Sequence, residues 1–169
     1  MTAAAGAAGA GAEVPAIRDV VLRYCSGIDR LDADLMKSAY WPDATDDHGT
    51  FVGNGWEFVD RCMRSHARWR ATMHCVLNHR VDLDASGTSA RGEVYHVTYL
   101  FPPDTSGVHQ WCGRYLDAYE RRDGQWRIRH RVCVHEGTVV LAGPPMPIPE
   151  QQFRSGSFDR PSAGRPIGP

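Results

Sequence analysis

The 169-residue chain lacks the features that mark several large functional classes. Its formal net charge is −1, so it offers no excess of positive charge to nucleic acid or to an anionic membrane surface. No apolar run approaches the roughly 20 residues that a membrane-spanning helix needs. The sequence therefore predicts a protein that binds neither nucleic acid nor membrane.

Cysteine motifs are missing as well. The five cysteines are odd in number, scattered singly and without a Cys-x-x-Cys pair. They fall mostly inside apolar patterns, where a free thiol packs as a small hydrophobic residue. We therefore expect a reduced, cytoplasmic setting. The N-terminal segment also lacks the basic leader and bulky apolar stretch of a secretory signal peptide.

Motifs for nucleophilic catalysis, phosphate binding and metal binding are also absent. The sequence contains no Gly-x-Ser-x-Gly elbow and no phosphate-binding loop. His74 and His79 are separated by an odd spacing, which puts them on opposite faces of a strand unless a bulge intervenes. Asp46 and His48 can share a face, but two ligands fall short of a zinc site. The sequence predicts no metal and no cofactor.

The first half of the chain favours helices. From residue 14 onward, apolar residues recur at the three-and-four spacing that indicates one buried helical face. The residues of this stripe are Ile17, Val20, Val21, Tyr24, Cys25 and Ile28. Pro15 suits the first turn of such a helix, where a missing N–H costs nothing. We expect a helix from residue 14 and a disordered arm over 1–13, which is mostly alanine and glycine.

Two more helices and an extended segment are expected before the middle of the chain. A short helix is predicted over 34–40, with Asp32 as its cap and Pro42 as its stop. Residues 44–53 are typical of a strand or extended segment, which ends in a Gly-Asn-Gly turn. A third helix is predicted over 56–69.

The rest of the folded region is typical of strands and turns. Four stretches are rich in β-branched and aromatic residues, namely 72–84, 90–101, 108–121 and 125–140. Three helices followed by long antiparallel strands indicate an α+β fold, in which a curled sheet leaves a deep, one-ended cavity. The domain is expected to span 14–141. The tail over 142–169 is dense in proline, glycine and serine and cannot fold on its own.

Asp29 and His74 are the residues most suggestive of chemistry. Asp29 ends the first helix, where a carboxylate is unfavourable with the dipole. This indicates a specific partner or, alternatively, a surface acid that Arg30 neutralises. Strand alternation places Val76 and Asn78 on the same face as His74, which is either a pocket lining or a core histidine bonded to a carbonyl. A carboxylate that fixes the tautomer of an imidazole makes it a usable general base.

Several separated blocks of sequence occur in the order of one known family. They are YCSGIDRLD, SAYWPDATDDHGTFVG, TMHCVLN and YLDAYERRDGQWRIRHRVCVHE. The chain resembles the SnoaL-like branch of the nuclear transport factor 2-like superfamily over residues 14–140. Within it, the chain is similar to the group containing hexachlorocyclohexane dehydrochlorinase, scytalone dehydratase and bile acid dehydratase. The resemblance implies an α+β cone, a curved antiparallel sheet wrapped around three N-terminal helices that encloses a deep pocket.

The resemblance also implies a chemistry. The aspartate–histidine dyad of the family's lyases falls on Asp29 and His74. Arg131 corresponds to a pocket-facing cation suited to a leaving group or an oxyanion, and Tyr24 to a hydroxyl donor on the first helix. The implied activity is a cofactor-independent lyase, of the dehydratase or dehydrohalogenase type, acting on a small, apolar, cyclic molecule. An isomerase or polyketide-type cyclase with the same base, and a non-catalytic binding protein, are the alternatives.

Further residues are expected to line the pocket. Glu93 is a candidate second acid whose direction depends on strand register, and His48 is a candidate polar contact at the mouth. The full set of expected substrate-binding residues is Tyr40, Trp41, His48, Asn78, Glu93, Tyr95 and Trp111. The outer face of such a sheet carries apolar residues that one subunit cannot cover, and relatives in this family are often dimers or trimers. Together these imply a homodimer or homotrimer.

Overall fold

The computed structural model describes residues 4–104 and 107–143, with side chains from residue 12 onward. Three helices lie in these residues: α1 (Ala4–Arg30), α2 (Ala33–Lys37) and α3 (Gly55–His66). Six strands of the same residues form one sheet: β1 (Tyr40–Asp47), β2 (Val52–Asn54), β3 (Ala71–Leu83), β4 (Ser89–Phe101), β5 (Val108–Arg122) and β6 (Gln125–Leu141). The predicted α+β class, with a curved sheet and N-terminal helices, is confirmed.

The strand order in the sheet is β2-β1-β6-β5-β4-β3. From β3 to β6, strands that follow one another in the chain pair antiparallel, whereas β1 lies parallel to β6. Two short strands, β1 and β2, replace the single extended segment predicted over 44–53. Pro42 lies inside β1 rather than after a helix, at a point where pairing with β6 is irregular. Its missing N–H therefore costs the sheet no regular ladder bond.

The first helix is longer than predicted. It begins at Ala4 rather than at residue 14, so residues 4–13 are helical where we expected a disordered arm. Alanine has the highest helix propensity of any residue, which favours extending the helix through this segment. Pro15 accordingly lies inside the helix instead of in its first turn. Most of the predicted tail, from residue 144 onward, lies outside the described residues.

A close approach between α1 and α2 positions the end of the first helix. A Cβ atom on Gly27 would lie only 2.6 Å from the backbone nitrogen of Met36, so α2 packs here only because Gly27 has no side chain. Asp32 caps α2 as predicted, since its carboxylate accepts a hydrogen bond from the backbone N–H of Leu35 at 2.9 Å. This tight corner fixes the last turn of α1, which carries Asp29.

A bulge in β3 changes which side chains face the helices. Pairing with β4 shifts register between Val76 and His79, so the strand gains residues that have no regular partner. Leu77 and Asn78 are exposed, and His79 returns to the inner face. The prediction that Asn78 shares the face of His74 is therefore wrong. Simple alternation holds only from His74 to Val76.

Two general features concern the described residues alone. All five cysteines lie within this part of the chain and are free thiols. No helix in it is long and apolar enough to cross a membrane.

Candidate active site

Asp29 faces the start of β3 and binds His74. Its carboxylate accepts a hydrogen bond from the imidazole Nδ1 of His74 at 2.6 Å and another from the backbone N–H of His74 at 2.8 Å. The hydroxyl of Thr72 donates a third hydrogen bond at 2.8 Å. Because a carboxylate only accepts, Nδ1 carries the hydrogen, and Nε2 of the neutral ring keeps its lone pair. This is the tautomer that a general base needs.

These three donors explain how an acid is tolerated at the end of α1. Charge-assisted hydrogen bonds are stronger than neutral ones, and they offset the unfavourable interaction with the helix dipole. Arg30, the alternative partner, donates instead to the backbone carbonyl of Ser26. The side chains of His74 and Asp29 are 6% and 16% exposed, so the pair is shielded yet not sealed.

His66 is a neighbour of His74 that the sequence did not identify as a candidate site residue. The last turn of α3 brings its ring to 6.1 Å from the ring of His74, measured between centroids. Nδ1 of His66 donates to the backbone carbonyl of Cys62 at 3.2 Å, which leaves Nε2 as an acceptor. Burial, and then the charge of His74, lower the pKa of His66 to about 4. His66 therefore stays neutral beside the base.

A second carboxylate–imidazole pair comes from β1 and the turn after it. The side chain of Asp46 has no exposed surface, and it accepts hydrogen bonds from Nδ1 of His48 and from the hydroxyl of Tyr40, the latter at 2.6 Å. Nε2 of His48 lies 3.5 Å from the hydroxyl of Tyr24. The His48 ring stacks on Phe58 with centroids 4.0 Å apart. Two predicted lining residues, Tyr40 and His48, thus share one hydrogen-bonded network.

Arg131 has a different environment from the one we expected. Its Nε and Nη2 both donate to Asp117 at 2.7 Å, and its side chain has no exposed surface. Burial alone would lower the pKa of Arg131, but Asp117 and the hydroxyl of Tyr40 hold it above its ordinary value. The guanidinium carbon lies 4.2 Å and 4.0 Å from the ring centroids of Tyr24 and Tyr115. Arg131 therefore packs against these two rings and has no exposed side-chain surface.

His96 is a central residue that the sequence analysis missed. Its ring stacks on Tyr115 with centroids 4.0 Å apart and planes at 10°, on the face that Arg131 leaves free. Burial, followed by the charges of His74, Arg131 and His48, lowers the pKa of His96 to about 3. His96 therefore lies within electrostatic reach of both imidazoles. Inward and outward residues alternate along β4, and this alternation puts His96 on the inner face. The pattern is the signal in the sequence that could have identified His96.

Gly113 makes room for His96 on the next strand. A Cβ atom at Gly113 would lie 2.5 Å from the carbonyl oxygen of Val134, 2.9 Å from the indole nitrogen of Trp111 and 3.1 Å from Nε2 of His96. The structure thus places Trp111, an expected lining residue, on the inner face beside His96. In the described part of the chain, Nε2 of His96 and Nη1 of Arg131 are buried without a hydrogen-bond partner.

Trp41 lies at the other end of the sheet. Its indole N–H donates to the backbone carbonyl of Glu120, and the guanidinium groups of Arg122 and Arg127 cover its ring at 4.8 Å and 4.7 Å. Glu120 is separated along β5 from Trp111 by roughly 30 Å at ~3.3 Å per residue. The expectation that Trp41 lines the pocket stays a prediction, and its ring contacts two arginines of the β5–β6 hairpin.

Glu93 and Tyr95 point away from the site. Glu93 forms an ion pair with Arg114 at 2.6 Å, and the same guanidinium lies 5.7 Å from the ring centroid of Tyr95. Tyr95 is 43% exposed, whereas Val94 and His96 are buried. The register of β4 therefore turns Glu93 and Tyr95 to the outer face, contrary to the expectation that they point into the pocket.

The bulge in β3 brings His74 and His79 to one face, yet they do not form a metal centre with a third ligand. In the described residues, no group of three or more histidine, cysteine, aspartate or glutamate side chains is arranged to hold a metal ion.

The sequence profile of the SnoaL-like domain matches residues 12–132. The chain belongs to the SnoaL-like domain family. The match contains both ends of the Asp29–His74 contact and the Asp46–His48 pair. Among curated proteins, none matches the chain.

Solved structures with the nuclear transport factor 2-like fold are similar to this SnoaL-like chain. Hexachlorocyclohexane dehydrochlorinase LinA type 2 is 22% identical, with 83% of this chain and 97% of that chain covered and a TM-score of 0.73. The type 3 dehydrochlorinase from Novosphingobium barchaimii is 22% identical, with 83% and 98% covered and a TM-score of 0.72. A scytalone dehydratase-like protein from Novosphingobium aromaticivorans is 19% identical, with 82% and 96% covered and a TM-score of 0.71. At these identities the likeness shows the fold alone.

Proposed function

We propose that the protein is a cofactor-independent lyase in which His74 removes a proton from carbon. The substrate is a small, apolar, cyclic molecule that carries a leaving group next to the acidic carbon. The observation that carries the proposal is the 2.6 Å hydrogen bond from Nδ1 of His74 to Asp29. It leaves the lone pair of Nε2 for the substrate, on a side chain that is 6% exposed.

The reaction then runs as an elimination. Nε2 of His74 takes the proton, the C–H electron pair becomes the new double bond, and the leaving group departs with its own electron pair. Asp29 stabilises the imidazolium that forms, and Thr72 holds the carboxylate in place. General-base assistance of this kind is typically worth about 10²–10⁴-fold in rate.

Tyr24 and Arg131 take supporting roles in this proposal. Burial raises the pKa of Tyr24 well above its ordinary value, so its hydroxyl keeps its proton and is available to a substrate as a hydrogen-bond donor. Arg131 lies against the Tyr24 ring and fixes its position. Its buried positive charge also favours a developing negative charge nearby. Arg131 is thus a positioning residue rather than a ligand of the leaving group.

The comparisons support elimination chemistry at the level of the family. The similar structures include a dehydrochlorinase, whose name describes loss of hydrogen chloride, and a dehydratase-like protein, whose name describes loss of water. Both reactions begin when a base takes a proton from carbon. An isomerase or cyclase would use the same base, but its product would keep the mass of the substrate.

A chromogenic elimination tests the proposal. The probe is a β-(para-nitrophenoxy)cyclohexanone, from which elimination releases coloured para-nitrophenolate and an enone. We expect His74→Ala to lower kcat by about 10²–10⁴-fold, with the fold intact by circular dichroism. His130→Gln is the matched control, because His130 is exposed and its side chain bonds to Thr45 on the neighbouring strand. If His74→Ala keeps the turnover of the wild type, the role of His74 as the base is refuted. A product with the same mass as the substrate would indicate an isomerase.

We also propose that the protein forms a homodimer or homotrimer. Tyr95 and Leu116 are 43% and 39% exposed on the outer face of the sheet, beside an open groove of about 550 Å³. A second copy covering this face would remove both side chains from water. Light scattering is expected to give an oligomer for the wild type and a smaller species for Leu116→Glu. A monomeric wild type would contradict this.

A further inference from the structure

We propose that His48, held by Asp46, is a second catalytic residue that protonates the leaving group, which makes the substrate an alcohol rather than a halide. The inference rests on the proposed function, because it assumes that His74 removes the proton from carbon. It adds the acid of the reaction and the class of leaving group.

The Asp46–His48 pair has the same internal order as Asp29–His74. In each pair the carboxylate binds Nδ1, so Nε2 is the nitrogen directed away from the acid. Asp46 has a second donor in the hydroxyl of Tyr40 at 2.6 Å and no exposed surface. The Tyr40 hydroxyl and Nδ1 of His48 therefore fix this buried carboxylate, and the carboxylate in turn fixes the orientation of the His48 ring.

His48 is the polar group of this network that a ligand can reach. Its side chain is 18% exposed, whereas Tyr24 is 1% exposed and the Arg131 side chain is fully buried. Stacking on Phe58 fixes the plane of the His48 ring, so the proton on Nε2 has a defined direction. The hydroxyl of Tyr24, 3.5 Å from Nε2, can hold this proton in place before a substrate arrives.

The two imidazoles belong to one site. His74 pairs with Thr98 across β3 and β4, and the Thr98 hydroxyl lies 3.3 Å from Nδ1 of His96, which stacks on Tyr115. The Tyr115 ring in turn lies 6.1 Å from the ring of His48, measured between centroids. His96 and Tyr115 therefore join the Asp29–His74 pair to the Asp46–His48 pair across the inner face of the sheet.

The leaving group determines whether the reaction needs a second imidazole. A halide departs as a stable anion without a proton, whereas hydroxide is a poor leaving group unless it is protonated as the bond breaks. His74 takes the proton from carbon, and the C–H electron pair forms the double bond. The C–O electron pair goes to oxygen, which takes the proton from Nε2 of His48 and leaves as water. His74 then loses a proton to solvent and His48 gains one, so the overall change is loss of water.

Two probes that differ only in the leaving group test this inference. They are a β-hydroxycyclohexanone, whose hydroxyl needs a proton, and the matching β-(para-nitrophenoxy)cyclohexanone, whose leaving group does not. The variant is His48→Asn, since the amide nitrogen replaces Nδ1 as a donor to Asp46 while nothing replaces Nε2. We expect kcat for the hydroxy probe to fall at least about 10²-fold and kcat for the phenoxy probe to change only a few-fold. His74→Ala is expected to lose both reactions.

Each other result has a definite meaning. Equal losses of His48→Asn on both probes, or no loss on the hydroxy probe, would overturn the role of His48. A wild type that turns over only the phenoxy probe would overturn the alcohol substrate and leave His74 as the base. A wild type inactive on both probes would contradict the proposed function itself. Asp46→Asn is the second variant, and we expect the same selective loss because His48 loses its orientation.

Discussion

Asp29 binds His74 through both the side chain and the main chain, at 2.6 Å and 2.8 Å. The main-chain bond ties the end of α1 to the start of β3, and the side-chain bond selects the imidazole tautomer. One carboxylate therefore sets both where the imidazole lies and which nitrogen is basic. Its two functions can be separated experimentally, because an amide keeps the shape of the carboxylate but not its acceptor pattern.

Asp29→Asn is expected to lower the rate of elimination far more than it lowers stability. Three donors bind the Asp29 carboxylate, and in the variant the NH₂ group of the amide faces one of them. His74 therefore loses the hydrogen bond that keeps the hydrogen on Nδ1. We expect kcat to fall by roughly 10²–10⁴-fold, measured with the chromogenic probe. Asp19→Asn, an exposed position on the same helix, is the control and should keep the wild-type rate. An unchanged rate in Asp29→Asn would show that the tautomer is not important.

Asp117→Ala is expected to destabilise the protein strongly. The change leaves Arg131 as a fully buried cation without its carboxylate partner, and loss of one member of a buried ion pair typically costs about 3–5 kcal/mol. Urea unfolding followed by circular dichroism measures this. Asp43→Ala is the control, since it removes an exposed pair with Arg122 and should cost far less stability. Similar losses in the two variants would contradict our description of the Arg131 environment.

Much of the fold follows from local patterns in the sequence. The four long strands lie where the β-branched and aromatic stretches and the turn residues predicted them, and Asp32 caps α2 as a short acidic residue at that position should. The contact between Asp29 and His74 was also predictable, although only through the resemblance, because no local pattern joins the end of a helix to a strand so far away along the chain.

The mistakes have physical causes that no single-strand pattern contains. A bulge between Val76 and His79 turned Asn78 outward, and the register of β4 did the same for Glu93. Trp41 contacts Arg122 and Arg127, and this long-range contact with the β5–β6 hairpin is not visible in the pattern of β1 alone. His96 was missed since its importance arises from stacking on a residue of another strand.

Gly113→Ala is expected to disturb the site through packing alone. The added Cβ would meet backbone at Val134 and the side chains of Trp111 and His96, and overpacking of this kind costs about 1–3 kcal/mol. Urea unfolding gives the loss of stability. Gly137→Ala, on the adjacent strand, is the control, because its Cβ would meet nothing within 4 Å. If Gly113→Ala proves as stable as Gly137→Ala, the close approach at His96 is refuted.

Acid is expected to destabilise the protein partly through His96. Burial is the main reason that the pKa of this residue falls from 6.5 to about 3. Between these two pH values the unfolded chain binds a proton at His96 and the folded chain does not. Stability is therefore full above pH 6.5 and falls as the pH decreases toward 3. One such histidine costs about 2 kcal/mol between pH 7 and pH 5. Urea unfolding at both values should show a smaller acid loss for His96→Gln than for the wild type; an equal loss would contradict it.

The central claim is that Nε2 of His74 takes a proton from carbon, and hydrogen–deuterium exchange measures this step without any leaving group. Cyclohexanone in deuterated buffer is followed by NMR for loss of the protons next to its carbonyl. We predict that the wild-type protein and His130→Gln accelerate exchange equally, and that His74→Ala lowers this acceleration by at least about 10²-fold. Exchange that is equally fast with His74→Ala, or no faster with the wild type than in buffer alone, would contradict the account.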